Sequence, residues 1–315
     1  MGSQSTVDRN SGDGMNLLRK GKVKEVYEVD RDTLEFIYTD HISVFDKVIP
    51  NMIPRKGETL CRESAFWFQI AKEMGVRTHF KELVAANRMR VQRVDIIADY
   101  SKLGHDTRNY LLPLEFVVRH YAAGSLMDRL KTGELKPQDI GFRQGHAVNY
   151  GEKLEEPFFE VTTKLEATDR HLTIAEALKI SGMTEDEMEQ VKRLILKIDR
   201  RIASEVSQRE LIHVDGKKEF AFDKDRNLLL VDSFGTLDED RWWDFEAYAN
   251  GNIIELSKEF VRQHYRKSGY YASLEKARVE GKPEPVIPAL PGELVKKTSD
   301  LYIEMYEKIT GESFE

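Results

Sequence analysis

Apolar and polar residues alternate over most of the first hundred positions, and helical spacing takes over later. The pattern therefore predicts sheet with one clear helix first, then helices around a few strands. Strands are expected at Lys22–Val29, Leu34–Tyr38, His79–Val84 and Met89–Ile97. Between them Leu60, Phe66, Trp67 and Ile70 fit one helical face, with Thr59 as the cap and Gly75 as the stop after Met74. Asp99–Leu112 reads as a polar connection into a strand that carries Glu115 and Arg119 on one face. Lys136–Pro157 reads as loop, followed by the short apolar run Phe158–Val161. Capping boxes at Thr173…Glu176 and Thr184…Glu187 start two helices. The second helix has Met188, Val191, Ile195, Ile198, Ile202 and Val206 on its inner face. A hairpin follows, with strands near Lys217–Phe222 and Leu228–Asp232 around the turn residues Asp223–Asn227. Helices are expected at Asn252–Lys267 and Leu294–Ile309, separated by the proline-rich 281–291.

Composition narrows the class. The chain has 315 residues, 40% hydrophobic and 33% charged, enough for one large or two interlocked domains. A net charge of −7 argues against coating nucleic acid, though a local basic site stays open. The single cysteine, Cys61, excludes an internal disulfide framework and a cysteine-based zinc site, and is expected to be inert packing. No apolar run reaches membrane-spanning length. Residues 1–15 are polar and lack the apolar core of a signal peptide, so a disordered extension or cloning remnant on a cytoplasmic protein is expected.

The hairpin holds the strongest candidate chemistry. Alternation places Lys217, Glu219 and Ala221 on one face and Lys218, Phe220 and Phe222 on the other. Symmetric pairing about the turn would set Glu219 opposite Asp232. Like charges so placed repel, so a cation is expected between them, and two hard carboxylates suit Mg²⁺. A charged surface hairpin explains the same residues about equally well. Downstream, Arg241 beside Trp242 and Trp243 would be partly desolvated, which favours phosphate or carboxylate binding. Gly21 entering a strand with Lys22 and Lys24 suits a phosphate chain, although lysines also guard sheet edges. No Gly-Lys-Ser/Thr follows, so this is not a P-loop. Arg119 stands before the small residues Ala122-Ala123-Gly124-Ser125, where a ligand can approach the backbone. It suits an anion site or an interior ion pair with Glu115. Ser43 and Asp46 flank Phe45 in an expected loop, and Lys164 and Asp169 lie in another.

Taken in order, these pieces resemble the SAICAR synthetase family. The resemblance rests on Gly21-Lys22-Val23-Lys24-Glu25-Val26-Tyr27, Ile42–Asp46 and Val117-Val118-Arg119 with Ala122–Ser125. It continues through Lys217-Lys218-Glu219-Phe220, Val231-Asp232, Asp238…Arg241 and Phe260–Gln263, and runs from Leu17 to the C-terminus. Departures are Ser233 where the family usually has an acid, a missing histidine in Thr163–Arg170, and one extra residue between Asp232 and Arg241. The resemblance implies an α+β fold of two lobes, with an N-terminal antiparallel sheet lobe (16–112) over a larger mixed α/β lobe (113–315) and ATP between them. It implies an ATP-dependent ligase of purine synthesis that joins CAIR, a carboxyaminoimidazole ribonucleotide, to L-aspartate, and a homo-oligomer is expected. A small-molecule kinase on a related fold is the alternative. By resemblance Gly21, Lys22 and Lys24 serve ATP, and Glu219 and Asp232 hold Mg²⁺ beside a catalytic Lys217. Arg119, Ser125, Arg241 and Arg262 take the ribonucleotide phosphate. Lys217 and Asp238 contact the imidazole and ribose. Ser43, Asp46, Lys164 and Asp169 complete the expected substrate contacts.

Overall fold

Alternation in the N-terminal third produces strands β1 (Asn16–Lys20), β2 (Lys24–Asp30) and β3 (Thr33–Tyr38). The hairpin strands β4 (His41–Val44) and β5 (Lys47–Met52), helix α1 (Lys56–Glu73), and strands β6 (Phe80–Ala85) and β7 (Arg88–Gln92) follow. The computed structural model describes residues 14–166 and 168–315, so most of the extension expected at 1–15 lies outside the described residues. The strands form a five-stranded antiparallel sheet in the order β1-β2-β3-β7-β6, with β4–β5 a separate hairpin.

The rest of the chain runs β8 (Tyr110–Tyr121), α2 (Ser125–Thr132), β9 (Lys153–Thr163), β10 (His171–Leu172), α3 (Ile174–Ser181) and α4 (Glu185–Ser207). It continues with β11 (Leu211–Phe222), β12 (Leu228–Val231), β13 (Asp240–Asp244), α5 (Phe245–Ala249), α6 (Glu259–Lys267), α7 (Tyr270–Val279) and α8 (Gly292–Thr310). Here the sheet order is β10-β9-β8-β11-β12, again with antiparallel neighbours, and helices cover it as in an α+β chain. Both predicted capping boxes form, and all six predicted inner residues of α4 are buried. No helix among the described residues is long and apolar enough to cross a membrane.

Strand β11 organises this second sheet. One edge pairs with β8, and two short strands share the other: β12 along Glu219–Phe222 and β13 along Leu211–Gly216. The chain leaves the sheet at Asp232 and returns at Asp240. The connecting loop therefore emerges beside Lys217, in the middle of a strand.

Several boundaries differ from expectation. Helix α1 starts at Lys56 behind a left-handed Arg55, and Thr59 is buried in its first turn, where its hydroxyl bonds Lys56 O at 2.9 Å. Lys22 lies in the bend before β2, so it does not share a strand face with Lys24. β8 begins inside the expected connection, and β9 is longer than its apolar run because pairing with β8 extends it to Lys153. The helix expected from Asn252 starts only at Glu259. Residues 254–256 instead bond along β13, with Asp244 N–H on Ile254 O and Leu256 N–H on Trp242 O. Helix α7, which the apolar spacing did not announce, starts after the left-handed Gly269.

Candidate active site

A cavity of about 660 Å³ separates the two sheets. Val26, Leu34, Phe36, Val91, Leu111 and Val231 make one end apolar. Lys22, Lys24, Lys164, Glu219, Asp232, Asp238 and Glu239 make the other end charged. Gly21 and Ser233 also line it. A flat apolar group and a polyanion would fit the two ends in turn.

At the charged end, lysines and carboxylates alternate. Lys24 pairs with Asp232, and Lys164 pairs with Glu219. Lys217 Nζ lies 2.9 Å from Glu115, 3.0 Å from Glu219 and 3.1 Å from Glu239. Burial raises the pKa of Glu219 and Asp232, but the lysine charges outweigh it and hold both below the usual range. For Glu115 burial wins over Lys217, and its pKa rises to about 7. Burial also raises that of Glu239. His79 lines the cavity wall with its Nε2 buried and unpartnered, and burial pushes its pKa down to about 4.

The hairpin pairs one residue out of the expected register. Glu219 lies opposite Val231, and Asp232 is the first residue beyond β12, with a left-handed φ of 62°. That conformation ends the strand and turns the Asp232 carboxylate to Lys24 and Lys164. The expected cation between the two acids is present as an ammonium. Lys164 Nζ pairs with Glu219 Oε2 and lies 3.8 Å from Asp232 Oδ2. Two oxygen donors already flanking one cation form a set suited to a hard divalent ion such as Mg²⁺.

The loop between Asp232 and Asp240 is held from several sides. Lys56 Nζ bonds Asp238 Oδ2 at 2.8 Å, and Lys258 Nζ and Tyr302 hydroxyl reach Oδ1 at 3.1 and 2.5 Å. Burial raises the Asp238 pKa, but Lys258 and Lys56 outweigh it and hold it below the usual range. Trp67 Nε1–H donates to Gly235 O at 2.8 Å, and Leu237 N–H donates to the buried Glu63 at 3.2 Å. Behind the sheet, Asp240 accepts from Gly235 N–H at 2.9 Å and faces His213 at 2.7 Å and Lys218 at 3.3 Å. His213 and Lys218 reach the same carboxylate although five residues apart; the register shift between His213 and Asp215 supplies the change of face. Gly216 makes room, since a Cβ there would lie 2.1 Å from Asp240 Oδ2.

The arginines form a second group on the same sheet. Buried Arg119 bonds Glu160 at 2.5 Å, Asp215 at 3.2 Å and Ser125 Oγ at 3.1 Å. Its partners are therefore Glu160 and Asp215, not the Glu115 of the ion-pair alternative. Arg241 Nε lies 3.7 Å from Asp215 and 3.2 Å from Glu255. The small-residue turn is used by protein: a Cβ on Gly124 would lie 2.5 Å from the Arg241 guanidinium. Arg262 on α6 acts electrostatically on Glu255 with Arg241, and bonds Glu259 at 3.3 Å.

Of the expected site residues, Ser43, Asp46, Arg119, Ser125, Asp169, Lys217, Arg241 and Arg262 lie off the cavity lining, and Lys217 joins it through Glu219 and Glu239. Ser43 sits within strand β4 instead of a loop, Asp46 caps the β4–β5 turn, and Asp169 is exposed beyond Lys164. Asp46 still connects to the lining through Lys22, at 2.7 Å. Residues that the sequence reading passed over include Lys56, Glu239, Tyr302 and the buried set Asp199, His213, Lys218 and Asp240. A signal for the last set existed: Asp199 interrupts the apolar stripe of α4, and Lys218 alternates with Phe220 and Phe222.

Residues 17–277 match the model of the SAICAR synthetase family. A phosphoribosylaminoimidazole-succinocarboxamide synthase from Thermoplasma volcanium is 53% identical over 95% of this chain and 100% of that relative. The protein of the same name from Thermoplasma acidophilum is 52% identical over the same shares. Among solved structures, a SAICAR synthase from Saccharomyces cerevisiae complexed with SAICAR superposes with a TM-score of 0.73 at 27% identity, covering 98% of this chain and 99% of that one. A SAICAR synthetase in complex with ADP gives a TM-score of 0.68 at 26% identity over 94% and 99%. With a family model spanning most of its length and relatives identical at more than half of their positions, the chain belongs to the SAICAR synthetase family.

Proposed function

We propose that this protein is an ATP-dependent ligase of purine biosynthesis, joining the carboxylate of CAIR to the amine of L-aspartate with release of SAICAR, ADP and phosphate. The observation that carries this reading is the identity to full-length relatives of that name, combined with a cleft whose charged end suits phosphate and carboxylate. A small-molecule kinase is not favoured, since the matched relatives are ligases along their whole length.

A carboxylate is a poor electrophile. ATP converts it to an acyl phosphate that the amine attacks, or the amine attacks as phosphate transfers; in both cases the C–N bond forms and phosphate leaves. Either route rests on positioning and charge neutralisation. Lys22 and Lys24 would hold ATP phosphates, with the base in the apolar end of the cavity. Glu219 and Asp232 would hold Mg²⁺, displacing Lys164 from between them. When bound, the ion neutralises phosphate and carboxylate oxygens. Lys217, braced by Glu115, Glu219 and Glu239, would face the reacting carboxylate. Arg119, Ser125, Arg241 and Arg262 would take the ribonucleotide phosphate, and Asp238 a donor group of the same nucleotide. Ser43, Asp46 and Asp169 would help place aspartate. A cytoplasmic location and a homo-oligomeric assembly belong to the same reading and rest on the family resemblance.

The test measures ADP release with CAIR, with and without L-aspartate, and follows SAICAR directly. Aspartate-dependent SAICAR formation is expected. An ADP rate indifferent to aspartate, with no SAICAR, overturns the reading in favour of a kinase or ATPase.

A further inference from the structure

The family match ends at residue 277, yet helix α8, at 292–310, reaches the charged end of the cavity. Its Tyr302 hydroxyl donates to Asp238 Oδ1 at 2.5 Å. We propose that Tyr302 is a positioning residue for Asp238, which makes α8 part of the substrate site. The proposal rests on the reading of Asp238 as a contact of CAIR.

An ionised carboxylate offers about four acceptor positions. Lys258 and Tyr302 occupy Oδ1, and Lys56 occupies one position on Oδ2. One position on Oδ2 is left for a donor on the ligand, so the tyrosine helps to decide which oxygen faces the nucleotide. The three donors come from α1, from the segment before α6, and from α8, so the orientation of Asp238 depends on all three being docked together. A neutral hydroxyl suits this place. Two lysines already bond the Asp238 carboxylate, and a third cation would add a further charge to be desolvated in a buried cluster. The phenol stays protonated, because burial and the Asp238 charge both oppose its ionisation. The helix is itself anchored: Ser299 Oγ donates to Pro54 O at 2.7 Å, and Arg209 bonds Lys308 O and Ile309 O at 2.6 Å each. Tyr302 also packs fully buried in the core, and a purely structural role would rest on its ring alone.

Tyr302→Phe keeps the ring and removes the hydroxyl. The expected result is a rise of about 10-fold or more in KM for CAIR, the scale of one hydrogen bond to a charged group. KM for ATP should stay close to wild type, and the variant should remain folded with a lowered melting temperature, since a buried carboxylate loses one donor. Tyr306→Phe, one turn along α8, should leave all constants unchanged. Lys258→Met removes another donor from the same oxygen without touching α8 and should raise KM for CAIR in the same way. Calorimetric CAIR binding to Asp238→Ala, which removes the acceptor altogether, should be indifferent to adding Tyr302→Phe, because the tyrosine acts through Asp238. An unchanged KM for CAIR in folded Tyr302→Phe or in Lys258→Met overturns the proposal. So does an equal rise in KM for ATP, or a full Tyr302→Phe effect in the Asp238→Ala background. The ligase reading fails separately if the wild-type protein neither binds CAIR nor forms SAICAR, and the proposal then falls with it.

Discussion

Replacing Lys218 by methionine should cost this protein a large share of its stability. Lys218 Nζ lies 2.5 Å from Asp199 Oδ1 and 3.3 Å from Asp240 Oδ2, and all three side chains are shut off from solvent. Methionine nearly matches the lysine in length and volume, so packing changes little while the charge disappears. Two buried carboxylates then remain, with His120 at 3.1 Å from Asp199 and His213 at 2.7 Å from Asp240 as their nearest partners. Breaking a buried ion pair from one side costs about 3–5 kcal/mol, against a total stability of about 5–15 kcal/mol for a typical domain. Adding Asp199→Asn removes one stranded charge and should recover at least about 1 kcal/mol. The assay is equilibrium urea unfolding of wild type, single and double variants, with free energies extrapolated to water. A loss below about 1 kcal/mol in Lys218→Met, or no recovery in the double variant, would refute the view that this lysine neutralises the two acids. Asp240 also fixes Gly235 N–H, so the single variant should lose activity through the loop that carries Asp238.

Glu219→Ala should keep the far-UV circular dichroism of the wild type while turnover falls by about 10³-fold or more, as when a charge-stabilising group leaves an active site; wild-type-like turnover would sink the metal-pair reading. Acid should act through His79, whose pKa burial lowers to about 4 from about 6.5 in the unfolded chain. The unfolded chain takes up the proton first as pH falls, so stability owed to neutral His79 is full above about pH 6.5 and is lost toward pH 4. Wild type should therefore lose about 3 kcal/mol more than His79→Phe between pH 7 and pH 4. Parallel unfolding profiles for the two proteins would contradict this.

Local physics made much of this protein legible in the chain itself. Period-two runs marked β3 and β8, capping boxes marked the starts of α3 and α4, and turn residues marked the β11–β12 hairpin. These signals depend on neighbours a few residues apart, and a sequence displays such neighbours directly. The charged residues of the cleft were legible for a related reason: lysines and acids on alternating positions of a strand must share a face. Tertiary structure decided what those charges meet. Glu219 stands opposite Val231 because the chain closes the turn over 223–227 with Phe222 opposite Leu228, and the left-handed Asp232 then leaves the strand one residue further on. Asn252–Lys258 has helical spacing, but Ile254–Leu256 within it bond along β13, because a strand partner outweighed local propensity. Lys56, Lys258 and Tyr302 converge on Asp238 from positions up to 246 residues apart, and only packing of α1 and α8 against one another brings them together. The chain thus determined which chemistry was available, through short-range pattern. The fold determined its pairing, because burial leaves each charge to find whichever partner the packed elements place within a few ångströms.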